Sequence, residues 1–425
     1  MIHGHCQNHK KRAATKNPIH SASNMTPPKV MLIGAGNPAA TGVGEQFMDG
    51  MLADYPCELV ERFALNHQAT NESVPWRGSK CHTRNYTHSN LPFLATLANR
   101  KFRKSRVSAL ATELIELTQR HQSDVIWAFA NSIPMFYLID EIRKQNALPY
   151  VVSSWDSPEY LVSKSGLDRV SARNALQTFA GVLKSARQVV TICPQMSTIY
   201  RDQYGIESVP MPFCPAAENW LPIAERPSAT SDQQEQPSRP IKIIFAGSLY
   251  ATREWNHFLA AIETHHQSGD LPRFEVTCLG SQGRKADRKD WVRYEPTKPQ
   301  AEATAIINQS DIAYLPYWMD KKHDFFTRTA FPSKLPFYVA SGTPVFFHGP
   351  RESTPADFIR KYSVGTNCHS LAADSIIQTL ISAVSGPARQ TFVEARQQVF
   401  MEDLDPNRGG QIFARTVKEA ANNKV

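Results

Sequence analysis

Short apolar runs closed by a glycine or a polar turn recur along this chain. KVMLIGAG (29–36), CELVERFAL (57–65), DVIWAFA (124–130), PYVVSS (149–154) and QVVTIC (188–193) are each too short for a helix and rich in β-branched and aromatic residues. They read as buried strands. Between them, residues 108–121, 135–145 and 168–187 place apolar side chains at helical spacing. Strands alternating with amphipathic helices predict βαβ units and a parallel sheet. Residues 221–240 interrupt the pattern with four prolines among Ser, Gln and charged residues, which predicts a linker or surface loop. The alternation then resumes. Strands are expected at 241–250, 274–281, 311–317 and 343–349, and helices at 255–265, 299–309, 332–341 and 371–384. Residues 387–421 read as helical with a break near Pro406–Gly410. The chain is expected to be two α/β halves, each opened by a strand and a glycine turn.

Composition narrows this picture. At 425 residues and 41% hydrophobic, the chain can bury two cores. Its seven cysteines are odd in number and include no C-x-x-C pair, so reduced thiols and a cytoplasmic setting are expected. With no H-E-x-x-H stretch either, no metal is expected. Residues 1–28 are polar and basic without the apolar centre of a secretory signal, and read as a disordered tail; Met25 and Met31 are alternative starts. No apolar stretch is long enough to span a bilayer. The net charge of +8 gathers in the tail and in Arg100, Lys101, Arg103, Lys104 and Arg106, which suits an anionic partner. LPFLATLANRKFRKSRVSAL, with Leu and Phe among those cations, suits an interfacial segment on anionic lipid, peripheral to the inner face of a membrane. Its plain alternative is a solvated helix face. The broad interleaving of aromatic and basic residues that nucleic acid requires is not seen, so no nucleic-acid partner is expected.

Four stretches carry candidate chemistry. Gly34-Ala-Gly-Asn-Pro-Ala-Ala-Thr-Gly42-Val-Gly44 follows the first strand and precedes a helix near Glu45. Such a loop lets backbone approach a ligand at a helix N-terminus, or is simply a tight turn. Its spacing departs from the G-x-G-x-x-G dinucleotide fingerprint. Ala246-Gly-Ser-Leu-Tyr-Ala-Thr-Arg253 opens the second half the same way, with a cation at a helix start, where it is unfavourable without an anionic partner. Ser153-Ser-Trp-Asp156-Ser-Pro-Glu159 follows a strand and offers two carboxylates, Asp156 foremost, which otherwise serve to cap the next helix. Pro332-Ser333-Lys334 opens a helix that runs into Gly342-Thr-Pro344-Val.

The last stretch resembles the F-P-S-K-(L/I)-x-E-Y-(L/M)-A-x-G-x-P-V segment of retaining glycosyltransferases of the two-Rossmann (GT-B) type. Gly247, Leu249 and Arg253 resemble the G-R-L, three residues, K-G of the same family, with Ser248 in place of arginine. The resemblance implies an α/β fold of two Rossmann-like domains with parallel sheets facing a central cleft. The acceptor side would be 29–213, the linker 214–240 and the nucleotide-sugar side 241–404, with 405–425 crossing back to the amino domain. It implies transfer of a sugar from a nucleotide-diphosphate sugar to a saccharide or lipid-linked acceptor, in polysaccharide or glycoconjugate synthesis, with no cofactor beyond the donor. Arg253, Ser333, Lys334, Gly247 and Ser248 would hold the diphosphate, and Gly280 and Ser281 would lie near the base. Asp156 and Glu159 would face the transferred sugar, and Gly34, Gly42 and Gly44 would line the cleft. The two glutamates common in that family fall here on Thr329 and Phe337, and neither can act as a carboxylate. Asp320 and Asp324, just upstream, otherwise read as a solvated loop. Two rival readings remain. A dinucleotide binder would use Glu61 as its ribose acid, and a non-catalytic protein of the same fold would explain the missing glutamates.

Overall fold

The computed structural model describes residues 26–36, 42–66, 71–86, 91–145, 148–224, 239–280 and 289–422. The amino half forms one sheet from β1 (Val30–Ala35), β2 (Val60–Leu65), β3 (Glu72–Trp76), β4 (Ser79–Arg84), β5 (Val125–Phe129), β6 (Tyr150–Ser154), β7 (Gln188–Thr191) and β8 (Val209–Pro210). Its order is β3-β4-β2-β1-β5-β6-β7-β8. The carboxyl half forms a second sheet from β9 (Ile241–Ala246), β10 (Phe274–Leu279), β11 (Val292–Glu295), β12 (Ile312–Pro316), β13 (Val345–His348) and β14 (Gly365–Cys368), ordered β11-β10-β9-β12-β13-β14. Every neighbouring pair is parallel except β3 with β4. That exception is a hairpin that the apolar pattern does not predict. It closes through Arg77 and Gly78, both at positive φ (48° and 78°), without the Asn-Gly or Asp-Gly signal that marks such turns.

The central strands are apolar on both faces because helices cover both faces of each sheet. All five residues of β5 and of β12 are buried. In each sheet the strand order reverses once, between β1 and β5 and between β9 and β12. Ligands of open parallel sheets bind beyond the carboxyl ends of the strands at such reversals.

The two lobes touch along those ends. The Tyr160 and Phe326 rings lie 4.3 Å apart, and Phe213 and Phe337 5.2 Å apart. The Cys193 thiol donates to the Thr329 carbonyl at 3.3 Å, and the Gln46 amide to the Gln300 side-chain oxygen at 2.9 Å. The last helix, Arg408–Asn422, lies on the amino lobe. Its Phe413 ring sits 5.0 Å from Tyr55 and 4.8 Å from Trp127, and Gly409 and Gly410 lie against the backbone at Gly50. The chain therefore passes between lobes twice. The two passages meet where the Cys214 thiol donates to the Asp403 carbonyl at 3.6 Å. The first passage is also strapped to the carboxyl lobe: Arg396 donates to the Leu221 carbonyl at 2.6 Å and stacks over Trp220 at 5.1 Å. Burial lowers the Arg396 guanidinium to about 10.

Gly365, at the turn into β14, has no room for a side chain, because a Cβ there would collide with the Val345 carbonyl. Gly365→Ala is expected to destabilise the protein by at least about 2 kcal/mol, since backbone rather than a pliable side chain must yield. A thermal melt would measure the loss, and an unchanged midpoint would refute the packing argument.

Candidate functional site

A cavity of about 330 Å³ lies between the lobes at the carboxyl ends of the strands. Val43, Gly44, Trp155, Asp156 and Phe213 line it from the amino side, and Tyr250, Tyr317, Phe326, Ser333 and Lys334 from the carboxyl side. Four residues singled out in the sequence, Gly44, Asp156, Ser333 and Lys334, thus meet at one place.

Lys334 is the centre of the carboxyl wall. It begins the short helix Lys334–Ala340, and its ammonium donates to the Ser248 carbonyl at 3.1 Å. The same nitrogen stands 4.7 Å from the Tyr250 ring centre and 5.5 Å from that of Phe245. It has no carboxylate partner among the described residues. Burial lowers it to about 8. A carbonyl dipole and two ring faces soften this charge without neutralising it. Gly247 is required beside it: φ is +89°, and a Cβ would approach the Lys334 Cε to 3.1 Å. Gly280, at φ +76°, folds back on Gly247, whose N–H donates to the Leu279 carbonyl at 2.7 Å. Gly247 and Gly280, directly after β9 and β10, therefore present bare backbone near the cation. Ser248 contributes its carbonyl, and Ser281 lies outside the described residues.

Asp156 is the centre of the amino wall. The next helix, Pro158–Lys164, is capped by Ser157, whose hydroxyl accepts from the Tyr160 N–H at 3.2 Å. Asp156 is thereby released from the capping role. Its carboxyl has no hydrogen-bond or ion-pair partner among the described residues. Burial pushes it up to about 6. Ser154 fixes the loop below it, donating to the Asp156 carbonyl at 3.1 Å and sharing a 2.8 Å hydrogen bond with the Tyr200 hydroxyl. Trp155 beside it packs on Phe47 and Phe129, at 4.9 and 4.8 Å, and closely on Gly44, where a Cβ would stand 3.2 Å from the indole.

Other expected residues fall elsewhere. Glu159 points into the amino lobe, accepting from Gln203 at 3.3 Å and the Tyr204 hydroxyl at 3.4 Å, and burial raises its carboxyl. It ties two helices together and does not line the cavity. Arg253 is exposed on the first turn of the helix Thr252–Ser268, outside the cavity lining and without a hydrogen-bond or ion-pair partner among the described residues. Gly34 lies within β1, where a Cβ would press on Phe129 at 3.2 Å, which makes its role one of packing. Gly42 is an exposed N-cap at an ordinary φ of −77°. The helix it starts carries Glu45 in its first turn, held by Arg62 through two 2.8 Å hydrogen bonds. That carboxylate already occupies the anion-favouring end. Thr329 is buried and donates to the Phe325 carbonyl at 2.8 Å, while Phe337 packs on Phe213. Asp320 holds His323 at 2.7 Å, and that imidazole stacks on Trp318 with ring centres 4.2 Å apart.

Glu61 is the second residue of β2 and bonds to His82 at 3.2 Å. The dinucleotide reading needs an acid at the carboxyl end of that strand, where Leu65 and Asn66 stand instead. The chain's single Asp-x-Asp spacing, Asp403 and Asp405, lies next to the last helix. There Asp403 accepts from Lys361 at 2.8 Å and from the Tyr362 hydroxyl at 2.5 Å. Among the described residues no group of three His, Cys, Asp or Glu could hold a metal ion. The aromatic walls, Trp155, Tyr250, Tyr317 and Phe326, were not found from the sequence, because an aromatic residue at a strand end carries no signal that separates a cavity wall from a core.

No family model and no curated protein sequence matches the chain. Solved structures do. The UDP-forming α,α-trehalose-phosphate synthase from Burkholderia xenovorans in complex with glucose-6-phosphate aligns at a TM-score of 0.62 and 10% identity, covering 92% of this chain and 99% of that one. Sucrose-phosphate synthase from Thermosynechococcus elongatus aligns at 0.57 and 13%, covering 92% and 94%. The catalytic domain of starch synthase IV from Arabidopsis thaliana, bound to ADP and acarbose, aligns at 0.57 and 10%, covering 92% and 100%. The chain has the fold of these proteins over nearly its whole length: two Rossmann-like lobes facing one cleft, the GT-B arrangement.

The Asp156 environment has a measurable signature. Below the ordinary carboxyl value of 3.8 the group is protonated whether the chain is folded or unfolded; as pH rises through about 6 the folded protein must ionise it in a desolvated place, and stability falls. Asp156→Asn is expected to raise the Tm near pH 7, with the gain shrinking as pH is lowered to about 4. A Tm difference that does not vary with pH would show the carboxyl to be ordinary.

Proposed function

We propose that this protein is a glycosyltransferase that moves a sugar from a nucleotide-diphosphate sugar to a saccharide or lipid-linked acceptor hydroxyl. The observation that carries this reading is Lys334: an ammonium without a counter-charge, beside two glycine loops, across a cavity from Asp156. The reading also rests on the kinds of ligand held by proteins of this fold, UDP-forming and ADP-bound among them.

In this reading the donor diphosphate lies on Lys334 and the backbone of the loops holding Gly247 and Gly280. Charge builds on the leaving diphosphate as the glycosidic bond breaks, and a cation fixed there stabilises that charge more than it stabilises the bound donor. Asp156 faces the sugar and acceptor. With a value near 6 it is largely ionised at neutral pH and accepts a hydrogen bond from a hydroxyl there, orienting it. The aromatic walls exclude water, which strengthens both interactions and limits hydrolysis of the donor. Retention of anomeric configuration is part of the proposal. So is an exposed Arg253 that reaches the diphosphate only from the rim. A second reading, nucleotide binding without transfer, is favoured by one observation: Thr329 and Phe337 turn inward and leave no carboxylate at the donor sugar.

Titration calorimetry with UDP, GDP, ADP and CMP tests the phosphate site. A diphosphate on Lys334 raises its depressed value, so binding near pH 8 is expected to take up about half a proton, read from the dependence of heat on buffer. Lys334→Ala is expected to weaken that binding about 10- to 100-fold and to abolish the uptake, with Arg253→Ala costing less. Binding of equal strength in Lys334→Ala would remove the assignment. Release of nucleotide diphosphate from a panel of donors and acceptors separates the readings. Turnover lost in Asp156→Asn with diphosphate binding intact supports transfer; binding of nucleotide without turnover on every donor supports the second reading.

A further inference from the structure

The helix Pro92–Ser105 has two unlike faces. Its inner face is closed against the amino lobe: Ala95, Thr96 and Phe102 are buried, and Phe102 packs edge-on to Tyr86 at 6.0 Å. Its outer face is not covered. Phe93 is 74% exposed, Leu94 48% and Leu97 46%. Of the nine large hydrophobic residues exposed among the described residues, these three and Leu91 fall within seven consecutive positions. Single exposed apolar residues are ordinary, but a contiguous patch on one helix end marks an interaction surface.

The later turns of the same helix identify the partner. Arg100, Lys101, Arg103 and Lys104 are all exposed, and no Asp or Glu occurs from residue 85 to residue 112. Arg100 pairs with Asp168 at 3.2 Å, and Arg103 sits 5.2 Å over the Tyr137 ring. The Lys101 and Lys104 ammonium groups have no hydrogen-bond or ion-pair partner among the described residues. Counted at 3.6 residues per turn, Phe93, Leu97, Lys101 and Lys104 share one side of the helix. That side is apolar in its first half and cationic in its second.

We propose that this face docks on the surface of an anionic phospholipid bilayer. The leading turn lowers Phe93, Leu94 and Leu97 into the boundary between headgroups and acyl chains. The next turns leave Lys101 and Lys104 among the lipid phosphates. A repeated array of phosphates above hydrocarbon complements this order of apolar and cationic side chains. Docking also gives the neighbouring architecture a direction. The inner face of the helix borders a cavity of about 270 Å³ that reaches Asn131. Asn131 holds the carboxyl end of β1, donating to the Ala35 carbonyl at 2.7 Å and accepting from its N–H at 3.0 Å. A lipid-linked acceptor anchored in the same bilayer would reach the cleft from this side; this last point rests on the transferase reading, and the docking does not.

Co-sedimentation with vesicles tests the docking without any nucleotide, so its outcome is independent of the transferase assay. The full chain is expected to bind vesicles of phosphatidylcholine containing about one third phosphatidylglycerol, and to bind pure phosphatidylcholine at least about tenfold less. Raising salt should release it. Lys101→Glu with Lys104→Glu is expected to lower the partition coefficient about 25-fold or more, from about fivefold per lysine. Phe93→Ser with Leu97→Ser should lower it comparably while leaving the Tm unchanged, because these side chains face outward. A Phe93→Trp variant should gain fluorescence quenching by brominated lipid relative to the parent. Absence of vesicle binding, or equal binding to neutral and anionic vesicles, would overturn the proposal. So would sedimentation velocity showing a dimer that Phe93→Ser with Leu97→Ser dissociates, which would make the patch a contact between copies.

Discussion

A charge partly withdrawn from water, with no carboxylate opposite it among the described residues, is the constraint around which the site is arranged. Lys334 sits where Gly247 leaves room beside it, where the Ser248 carbonyl turns toward it, and where two aromatic faces lie within reach of its ammonium. All of these come from residues 245–250, the end of β9 and the loop after it, while Lys334 comes from the chain after β12; β9 and β12 bring the two together by ending side by side. The parallel order of the second sheet is therefore what makes the cation possible. Its desolvation is a cost in the folded state, and a bound anion relieves it. Asp156 repeats the same logic with opposite sign across the cavity.

Beside the cavity the lobes meet through uncharged groups, which leaves both charges unpaired. Tyr160 on Phe326, Phe213 on Phe337 and the Cys193 thiol on a backbone carbonyl keep the walls together. None of these contacts spends a charge that the cavity uses. The ion pair nearest the glycine loop, Arg62 with Glu45, lies on the amino side and satisfies itself. It explains why that loop, the more conspicuous in sequence, is the poorer candidate for an anion.

Much of the fold was legible because parallel strands covered on both faces leave unbroken apolar runs, as in VIWAF of β5 and IAYLP of β12. The strands that carry no such signal lie at or next to a sheet edge or are short. β3 and β4 are polar and turn through Arg77-Gly78, and β8, of two residues, is too brief to carry a pattern. At the site, Lys334 was legible through the resemblance carried by Pro332-Ser333-Lys334, and Asp156 as a carboxylate just beyond the buried strand β6. Glu159, three positions on, has the same local context, yet one turn of helix aims it the other way. Its partners Gln203 and Tyr204 come from the helix Pro194–Tyr204, some 44 residues along the chain, and no local pattern encodes that contact. Arg253 sat where a resemblance put it, but its helix starts at Thr252 and presents it to solvent.

The two chain passages between the lobes also shape how the cleft can move. A single covalent link would let two lobes swivel and drift apart; two links far from each other would hold them nearly fixed. Here the links are neighbours, joined at Cys214 and Asp403. The lobes are bound like the covers of a book along one spine. A swing about that line would move residues beside the spine, such as Phe213, least and the opposite rim of the cleft most. A reactant would then enter from the far edge, and each swing would return the lysine and the aspartate to the same relative position.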